Sequence, residues 1–197
     1  YFYKIIANRD EYHERPTSGM KWWSNNIVLA GRDEEAGGTW LGVSKEGKFG
    51  AITNLKEETD IKYSNSRGSL VTEFLESQVS AKSYLEALEP NKDNYAGFNL
   101  IVGDKSGLFY LCNRLEGIFF ISEGIHALGN LTLNSSTKKI ESIKNDFNQI
   151  LHEGFAVDKG FHIMRKEYGN LHEKTKKELQ VRDGEVIPFR FIRSPIY

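Results

Sequence analysis

The stretch ANRDEYHERPT, residues 7–17, concentrates charge directly after the apolar segment YFYKIIA. Carboxylates, guanidinium groups and amides can orient a reacting group through charge-assisted hydrogen bonds, which are stronger than neutral ones. Two interpretations are open: a salt-bridged β-turn that closes a hairpin, or the rim of a cleft. The candidate functional residues of this stretch are Asn8, Arg9, Asp10 and Glu11.

Polar residues also follow other apolar runs of the chain. Arg32 and Asp33 end the second predicted strand, Asn54 ends the fourth, and Asn130 follows the short run IHAL. Functional groups are often mounted at such positions because a rigid sheet can aim them. Each residue is also a common turn former, and that alternative predicts a scatter over the surface. We predict instead that the candidates of the charged stretch meet Asn54 and Asn130 around one cleft, where a buried Arg9 needs a carboxylate partner.

The elements that must position these residues are short strands and amphipathic helices. Hydrophobic periodicity predicts strands at residues 2–8, 25–31, 39–44, 48–54, 97–104, 107–114, 117–124 and 185–192. It predicts helices from Ser66, at 81–89, at 139–152 and at 157–181, with an inward-facing set formed by Leu70, Phe74, Ile140, Ile143 and Phe147. Strands linked by hairpins, with helices gathered between them, favour an α+β fold with antiparallel sheets over a parallel sheet.

The glycine-rich run GGTWLGV is predicted to be structural. Gly37 and Gly38 would form the turn that enters a strand, and Trp40 would anchor it by burying a side chain worth ~2–3 kcal/mol. The rival interpretation is a loop that cradles a ligand phosphate. It is not a P-loop, because no Gly-Lys-Ser/Thr follows.

Composition excludes several classes of function. The 197 residues suit a single domain over 1–197, and 26 basic against 27 acidic residues give no sign of a nucleic-acid partner. No apolar run approaches the roughly 18–20 residues that span a bilayer. The single cysteine, Cys112, is expected to be a buried small hydrophobe on a strand, which fits a reducing, cytoplasmic location. The spacing of the histidines predicts no metal site, and we expect no cofactor.

The short motifs ANRDE, RPT, AGRD, GGTWLGV, TN, SRG, GFNL and GN occur here in that order. Together they closely resemble the NRDE (transport and Golgi organization 2-like) family over residues 7–197. The resemblance implies the αββα sandwich of N-terminal nucleophile hydrolases, with two stacked antiparallel sheets flanked by helices. Family members carry a cysteine directly after the initiator methionine. This chain begins at Tyr1 and ends at Tyr197, so we expect it to lack the family's first-strand start and closing C-terminal strand, and with them the nucleophile.

Two functions follow from the resemblance. The first is a cysteine amidase in the complete protein, in which Asn54 and Asn130 stabilise the oxyanion and Arg9 and Asp10, or the flanking Asn8 and Glu11, orient the amine and thiol. The second is a non-catalytic carrier of haem or of an acyl or lipid ligand. Its candidate binding residues are Asn8, Glu11, Arg32, Asp33 and Trp40, with Trp22, Trp23, Phe49 and Tyr63 as further cleft aromatics and His13 or His126 as a candidate haem ligand. The partner is a small molecule in both cases, and the sequence indicates no oligomeric state.

Overall fold

The computed structural model describes residues 3–9, 14–55, 63 and 65–165. Within these ranges, seven β-strands form one sheet in which each strand pairs antiparallel with the next along the chain. They are β1 (Thr17–Trp22), β2 (Val28–Asp33), β3 (Leu41–Ser44), β4 (Phe49–Asn54), β5 (Phe98–Asp104), β6 (Gly107–Cys112) and β7 (Phe119–Ile121). The predicted antiparallel α+β class is confirmed.

Four α-helices accompany the sheet in the described ranges. They are α1 (Arg67–Glu76), α2 (Ala81–Leu88), α3 (Lys138–His152) and α4 (Val157–Arg165), and a 3₁₀ turn, Glu89–Asn94, follows α2. Local sequence explains two of the starts: the hydroxyls of Ser80 and Thr137 accept hydrogen bonds from backbone N–H groups in the first turns of α2 and α3.

Helices α1 and α2 pack on one face of the sheet, which we call the inner face. The predicted core residues Leu70 and Phe74 are fully buried there against Leu100 and other side chains of β2, β5 and β6. Packing at Gly50 is tight, since a Cβ there would lie 3.0 Å from the Cγ1 of Val71, and that side chain would have to shift. The core therefore lies between the sheet and these two helices.

Helix α3 lines a cleft on the opposite face, which we call the cleft face. Ile140 is buried, whereas Ile143 and Phe147 are only half-buried and line the cleft. The ring of Phe147 meets that of Phe155 edge to face, with 6.0 Å between centroids. The expectation that all three residues point inward holds, but two of them point into a cleft and not into a close-packed core.

Two strand assignments needed correction at the start of the chain. Residues 3–8, predicted as a strand, form none. Two of these residues contact α4: Asn8 Nδ2 donates to the backbone carbonyl of Met164, and Ile6 fills the space above Gly160. Strand β1 was not predicted, because its exposed TSGMKW sequence lacks regular apolar alternation. The predicted strand at 185–192 and the helix beyond residue 165 lie outside the described residues.

Candidate functional site

A cleft of about 1820 Å³ opens on the cleft face of the sheet. Its apolar floor includes Phe49 and Ala51 of β4 and Ile101 of β5, and α3, α4, residues 3–9 and the 121–131 connection contribute its walls. An apolar cleft with polar groups at its edge is the usual form of a small-molecule site.

Most of the sequence-predicted site residues line this one cleft. They are Asn8, Arg9, Arg32, Asp33, Trp40, Asn54 and Asn130. The remaining two, Asp10 and Glu11, lie outside the described residues. The fold thus brings together side chains that are far apart in sequence, while the role of each residue stays a prediction.

Asn54 and Asn130 meet at the end of β4. The side-chain amide of Asn130 donates a 3.0 Å hydrogen bond to the backbone carbonyl of Asn54. Both residues are exposed at the rim of the cleft. One N–H of the Asn130 amide is used by this contact, which leaves the group's second N–H as the candidate donor to a ligand oxygen.

The carboxylate of Asp33 lies between two arginines. Arg15 Nε donates to Asp33 Oδ2 at 2.7 Å, and Arg9 Nη2 lies 3.9 Å from the same oxygen. Burial acts to raise the pKa of Asp33, but hydrogen bonds from the Ala36 amide and from Arg15 outweigh it and hold the pKa of that carboxyl below its ordinary value. The largely buried Arg9 thus has the carboxylate neighbour that the sequence analysis called for.

The GGTWLGV run has the predicted structural role. Gly37 adopts φ +76°, and its amide closes a turn onto the carbonyl of Asp33 just before β3. At Gly38, a Cβ would lie 2.6 Å from the backbone carbon of Gly68. The turn therefore packs backbone to backbone against the start of α1. Trp40 is half-buried: it packs against the inner-face core and also borders the cleft.

The aromatic lining differs from the prediction, since Tyr3 and Phe147 line the cleft and two of the predicted tryptophans do not. Trp40, Phe49 and Tyr63 border the cleft, but Trp22 and Trp23 do not. Trp23 is buried in the inner-face core, where its indole N–H donates to the carbonyl of Ala30. Trp22 is 45% exposed on β1, beneath the ammonium group of Lys45. The assignment was wrong because adjacent strand residues point to opposite faces, and the predicted strands did not include β1.

His126 lines the cleft, and both of its ring nitrogens are occupied. Nδ1 accepts from the side-chain amide of Asn134 at 3.0 Å, and Nε2 lies 3.0 Å from the carbonyl of Ser122. With the Asn134 amide as the donor to Nδ1, the Ser122 carbonyl is the acceptor for an N–H at Nε2. Iron ligation by His126 would therefore require the rupture of one of these hydrogen bonds. His13, the other candidate, lies outside the described residues.

Cys112 is fully buried on β6, as predicted, and does not line the cleft. Among the described residues there is no cluster of three or more histidine, cysteine or acidic side chains that could hold a metal ion. The same part of the chain contains no helix with the length and apolar character needed to cross a membrane.

Sequence reasoning missed a buried polar network on the cleft face. Thr53, Asn99 and Tyr110 lie on the adjacent strands β4, β5 and β6 and bond to each other and to residues 129–133. Burial raises the pKa of Tyr110 to about 12, so its hydroxyl stays protonated at neutral pH. The available signal was an asparagine within the otherwise apolar strand FNLIV, since a buried amide needs partners.

The sequence also gave no sign of the charge of the cleft. Eight cationic residues line it in the described ranges, against Asp33 and Glu123 as acidic residues. The cationic residues are Lys4, Arg9, Arg15, Arg32, Arg67, Lys138, Lys139 and Lys144. The guanidinium of Arg32 lies over the ring of Trp23, 5.0 Å from its centroid, and is thus turned toward the inner-face core. The chain as a whole carries a net charge of −1, so this excess is a local property of the cleft.

Comparison with known proteins places these features in context. A family model described as "Transport and Golgi organisation 2" matches residues 1–191. The chain is 36% identical over 169 residues to the "Transport and Golgi organization 2 homolog" of Mus musculus, covering 80% of this chain and 61% of that protein. It is 37% identical over 164 residues to the "Transport and Golgi organization protein 2 homolog" of Bos taurus, covering 77% and 59%. An uncharacterized protein of Saccharomyces cerevisiae is 40% identical over 81 residues, covering 36% and 26%. The chain thus spans about three fifths of the length of the mammalian relatives.

Proposed function

Because this chain belongs to the Transport and Golgi organisation 2 family, the NRDE family of the sequence motifs, we propose that its cleft binds a small molecule with an apolar body and an anionic group. The observation that carries the proposal is the combination of an apolar floor with seven cationic lining residues besides Arg32, against two acidic ones. Apolar surface supplies binding free energy in proportion to the area it buries, and the cations select for negative charge.

The two ligand classes considered from the sequence both fit this description. Haem is a flat apolar ring with carboxylates, and an acyl ligand joins an apolar chain to a carboxylate or phosphate head. The cations of the cleft come from different parts of the chain. Arg9 and Arg15 lie beside Asp33, while Lys138 and Lys139 are exposed in the first turn of α3. The arginines are already engaged with a carboxylate. We therefore assign the first contact with a ligand anion to the lysines of α3.

Direct binding tests this function. Palmitoyl coenzyme A and hemin are titrated into the protein while tryptophan fluorescence is recorded, first at low and then at high salt. We expect saturable binding that weakens as the salt concentration rises, because exposed charges are screened. The double variant Lys138→Glu with Lys139→Glu should bind more weakly by about tenfold, equivalent to ~1.4 kcal/mol. Acidic residues suit the start of a helix, so α3 should remain folded.

The matched control makes the same charge change outside the cleft. Lys82 on α2 and Lys105 in the β5–β6 turn are exposed and do not line it. Lys82→Glu with Lys105→Glu alters the net charge equally, so a general electrostatic effect would weaken both double variants alike. Equal affinities in the two variants, or no saturable binding of either probe by the unchanged protein, would overturn the proposal.

A cysteine amidase is the second candidate, and one observation favours it. Asn54 and Asn130 lie side by side at the end of β4, as two donors to one oxyanion would have to. The buried Cys112 is outside the cleft, so the thiol would have to be the family's N-terminal cysteine, and the activity is proposed for the whole protein. The test is the intact mass of the mature whole protein: a free N-terminal cysteine supports the amidase, and a retained methionine contradicts it.

We also propose the full αββα sandwich for the whole protein. Its support is the asymmetry of the sheet, whose inner face is covered by α1 and α2. On the other face, Trp22 and Val43 share one side of the sheet with Leu29 and remain exposed. A second sheet packed there would bury them.

The unpaired Cys112 supports a reducing, cytoplasmic location as a further proposal.

A further inference from the structure

We infer that Asn99 and Tyr110 are positioning residues that hold residues 129–133 against the sheet and thereby keep Asn130 at the rim of the cleft. Three side-chain hydrogen bonds reach this segment, one each from Thr53, Asn99 and Tyr110 on three neighbouring strands. Asn99 and Tyr110 do not line the cleft, so they act on a ligand only through this segment. The inference rests on the proposed ligand-binding function only for its effect on affinity.

Side chains of the sheet form hydrogen bonds with every second residue of the 129–133 segment. The hydroxyl of Thr53 donates to the carbonyl of Gly129 at 2.8 Å, and Asn99 Nδ2 donates to the carbonyl of Leu131 at 3.0 Å. The amide of Leu133 donates to the hydroxyl of Tyr110 at 3.2 Å. Asn130 lies between the first two of these residues and donates in turn to the carbonyl of Asn54.

The network is complete in donors and acceptors. The Tyr110 hydroxyl donates to Asn99 Oδ1 at 2.7 Å, and the second N–H of the Asn99 amide donates to the Thr53 hydroxyl at 3.2 Å. The Asn99 amide thus uses both N–H groups and its oxygen, and each hydroxyl donates once and accepts once. Only one orientation of the Asn99 amide satisfies all these partners, so the network fixes its own geometry and that of the segment.

The network is buried beneath the segment that carries Asn130, so its loss would affect the rim of the cleft. Asn99 is fully buried and Tyr110 nearly so, whereas Asn130 is exposed at the rim. Gly129, Asn130 and Leu131 all line the cleft. Loss of a buried partner leaves polar groups unsatisfied beneath the segment, which favours its local opening. The wall of the cleft then moves, although the sheet and the inner-face core remain.

The test compares two tyrosine variants that lose the same atom. Tyr110→Phe removes the hydroxyl from the network. Tyr84→Phe removes a hydroxyl that donates to the carbonyl of Leu70 at 2.8 Å on the inner face. Hydrogen–deuterium exchange is measured for residues 129–133 and, as an internal reference, for residues 70–75 of α1. We expect exchange in 129–133 relative to 70–75 to be at least about tenfold faster in Tyr110→Phe than in Tyr84→Phe.

A second pair keeps the inference falsifiable if Tyr110→Phe does not fold. Thr53→Val deletes the hydroxyl that holds Gly129, and Thr72→Val deletes one that donates to the carbonyl of Gly68 within α1. Faster relative exchange of 129–133 is expected in the first variant only. Equal relative exchange in the two members of a folded pair would overturn the inference.

Affinity provides the functional readout. The dissociation constant for palmitoyl coenzyme A should increase by about fivefold or more in Tyr110→Phe and should change little in Tyr84→Phe. Equal affinities would contradict the positioning role. If the unchanged protein binds neither palmitoyl coenzyme A nor hemin, the proposed function fails, while the exchange experiment still decides whether the network holds the segment.

Discussion

The side-chain amide of Asn130 is joined to the backbone carbonyl of Asn54 by a 3.0 Å hydrogen bond that spans 76 positions of the chain. The contact ties the 121–131 connection to the end of β4, where the sheet meets the cleft. Both residues lie exposed at the rim of the cleft.

Asn130→Ala should lower the free energy of unfolding by about 0.5–1 kcal/mol, because an exposed hydrogen bond makes a modest net contribution. Urea unfolding measures this value. Asn145→Ala provides the control: Asn145 is exposed on α3, and alanine is the better helix former, so stability should not fall. Equal losses in the two variants would show that the Asn54 contact contributes nothing.

Gly38→Ala should destabilise the protein by about 2 kcal/mol or more, since a Cβ at residue 38 would meet backbone atoms of Gly68 at 2.6 and 2.7 Å. Backbone cannot rotate away as a side chain can, so the turn and the start of α1 must separate. Gly19→Ala is the matched control, because a Cβ there has nothing within 4 Å. Thermal unfolding of the two variants checks the difference, and similar melting temperatures would contradict the close approach.

Asp33→Asn should lower the free energy of unfolding by about 1–2 kcal/mol at neutral pH, because the carboxylate accepts from Arg15 and from two backbone amides. Folding lowers the pKa of the Asp33 carboxyl below its ordinary value of 3.8. The stabilisation is therefore full above pH 3.8 and is lost as the pH falls through the lower folded-state pKa.

Urea unfolding of the unchanged protein and of Asp33→Asn at neutral and acidic pH measures this dependence. The difference in free energy of unfolding between the two proteins should become smaller in acid. Asp93→Asn is the control, since Asp93 is 82% exposed in its contact with Arg114. An exposed ion pair contributes little, so this variant should stay within about 0.5 kcal/mol of the unchanged protein. If the difference in free energy of unfolding between Asp33→Asn and the unchanged protein were the same at every pH, the lowered pKa of the Asp33 carboxyl would be contradicted.

Regular hydrophobic periodicity predicted the elements that fold around the inner-face core. The stripe containing Leu70 and Phe74 identified α1, and apolar runs identified β2 to β6 to within a few residues at each end. Periodicity was less informative where burial does not dictate the sequence. Strand β1 is mostly exposed, and residues 3–8 lie beside α4 and form no strand. A strand requires a hydrogen-bonded neighbour, which a sequence segment alone does not reveal.

The candidate site was likewise predictable where local sequence carries the signal, and not where it depends on contacts between distant elements. Family motifs and strand ends identified Asn54, Asn130, Arg9 and Asp33 as candidates, and these residues do line one cleft. The lysines of α3 and the Asn99 network were missed. Their importance arises only when distant elements meet, because neither the excess of positive charge nor the pairing of a buried amide is a local property of the sequence.

His126 gives a prediction that separates ligand binding from iron ligation. Both ring nitrogens are engaged, with Asn134 and with Ser122, so the ring serves to hold the 122–134 connection together. His126→Gln should lower the free energy of unfolding by about 1 kcal/mol. It should leave the Soret band position of the hemin complex unchanged. Absorbance spectra of hemin with each protein, together with urea unfolding, check both parts. A shifted Soret band in His126→Gln with unchanged stability would show instead that His126 leaves its hydrogen bonds and ligates the iron.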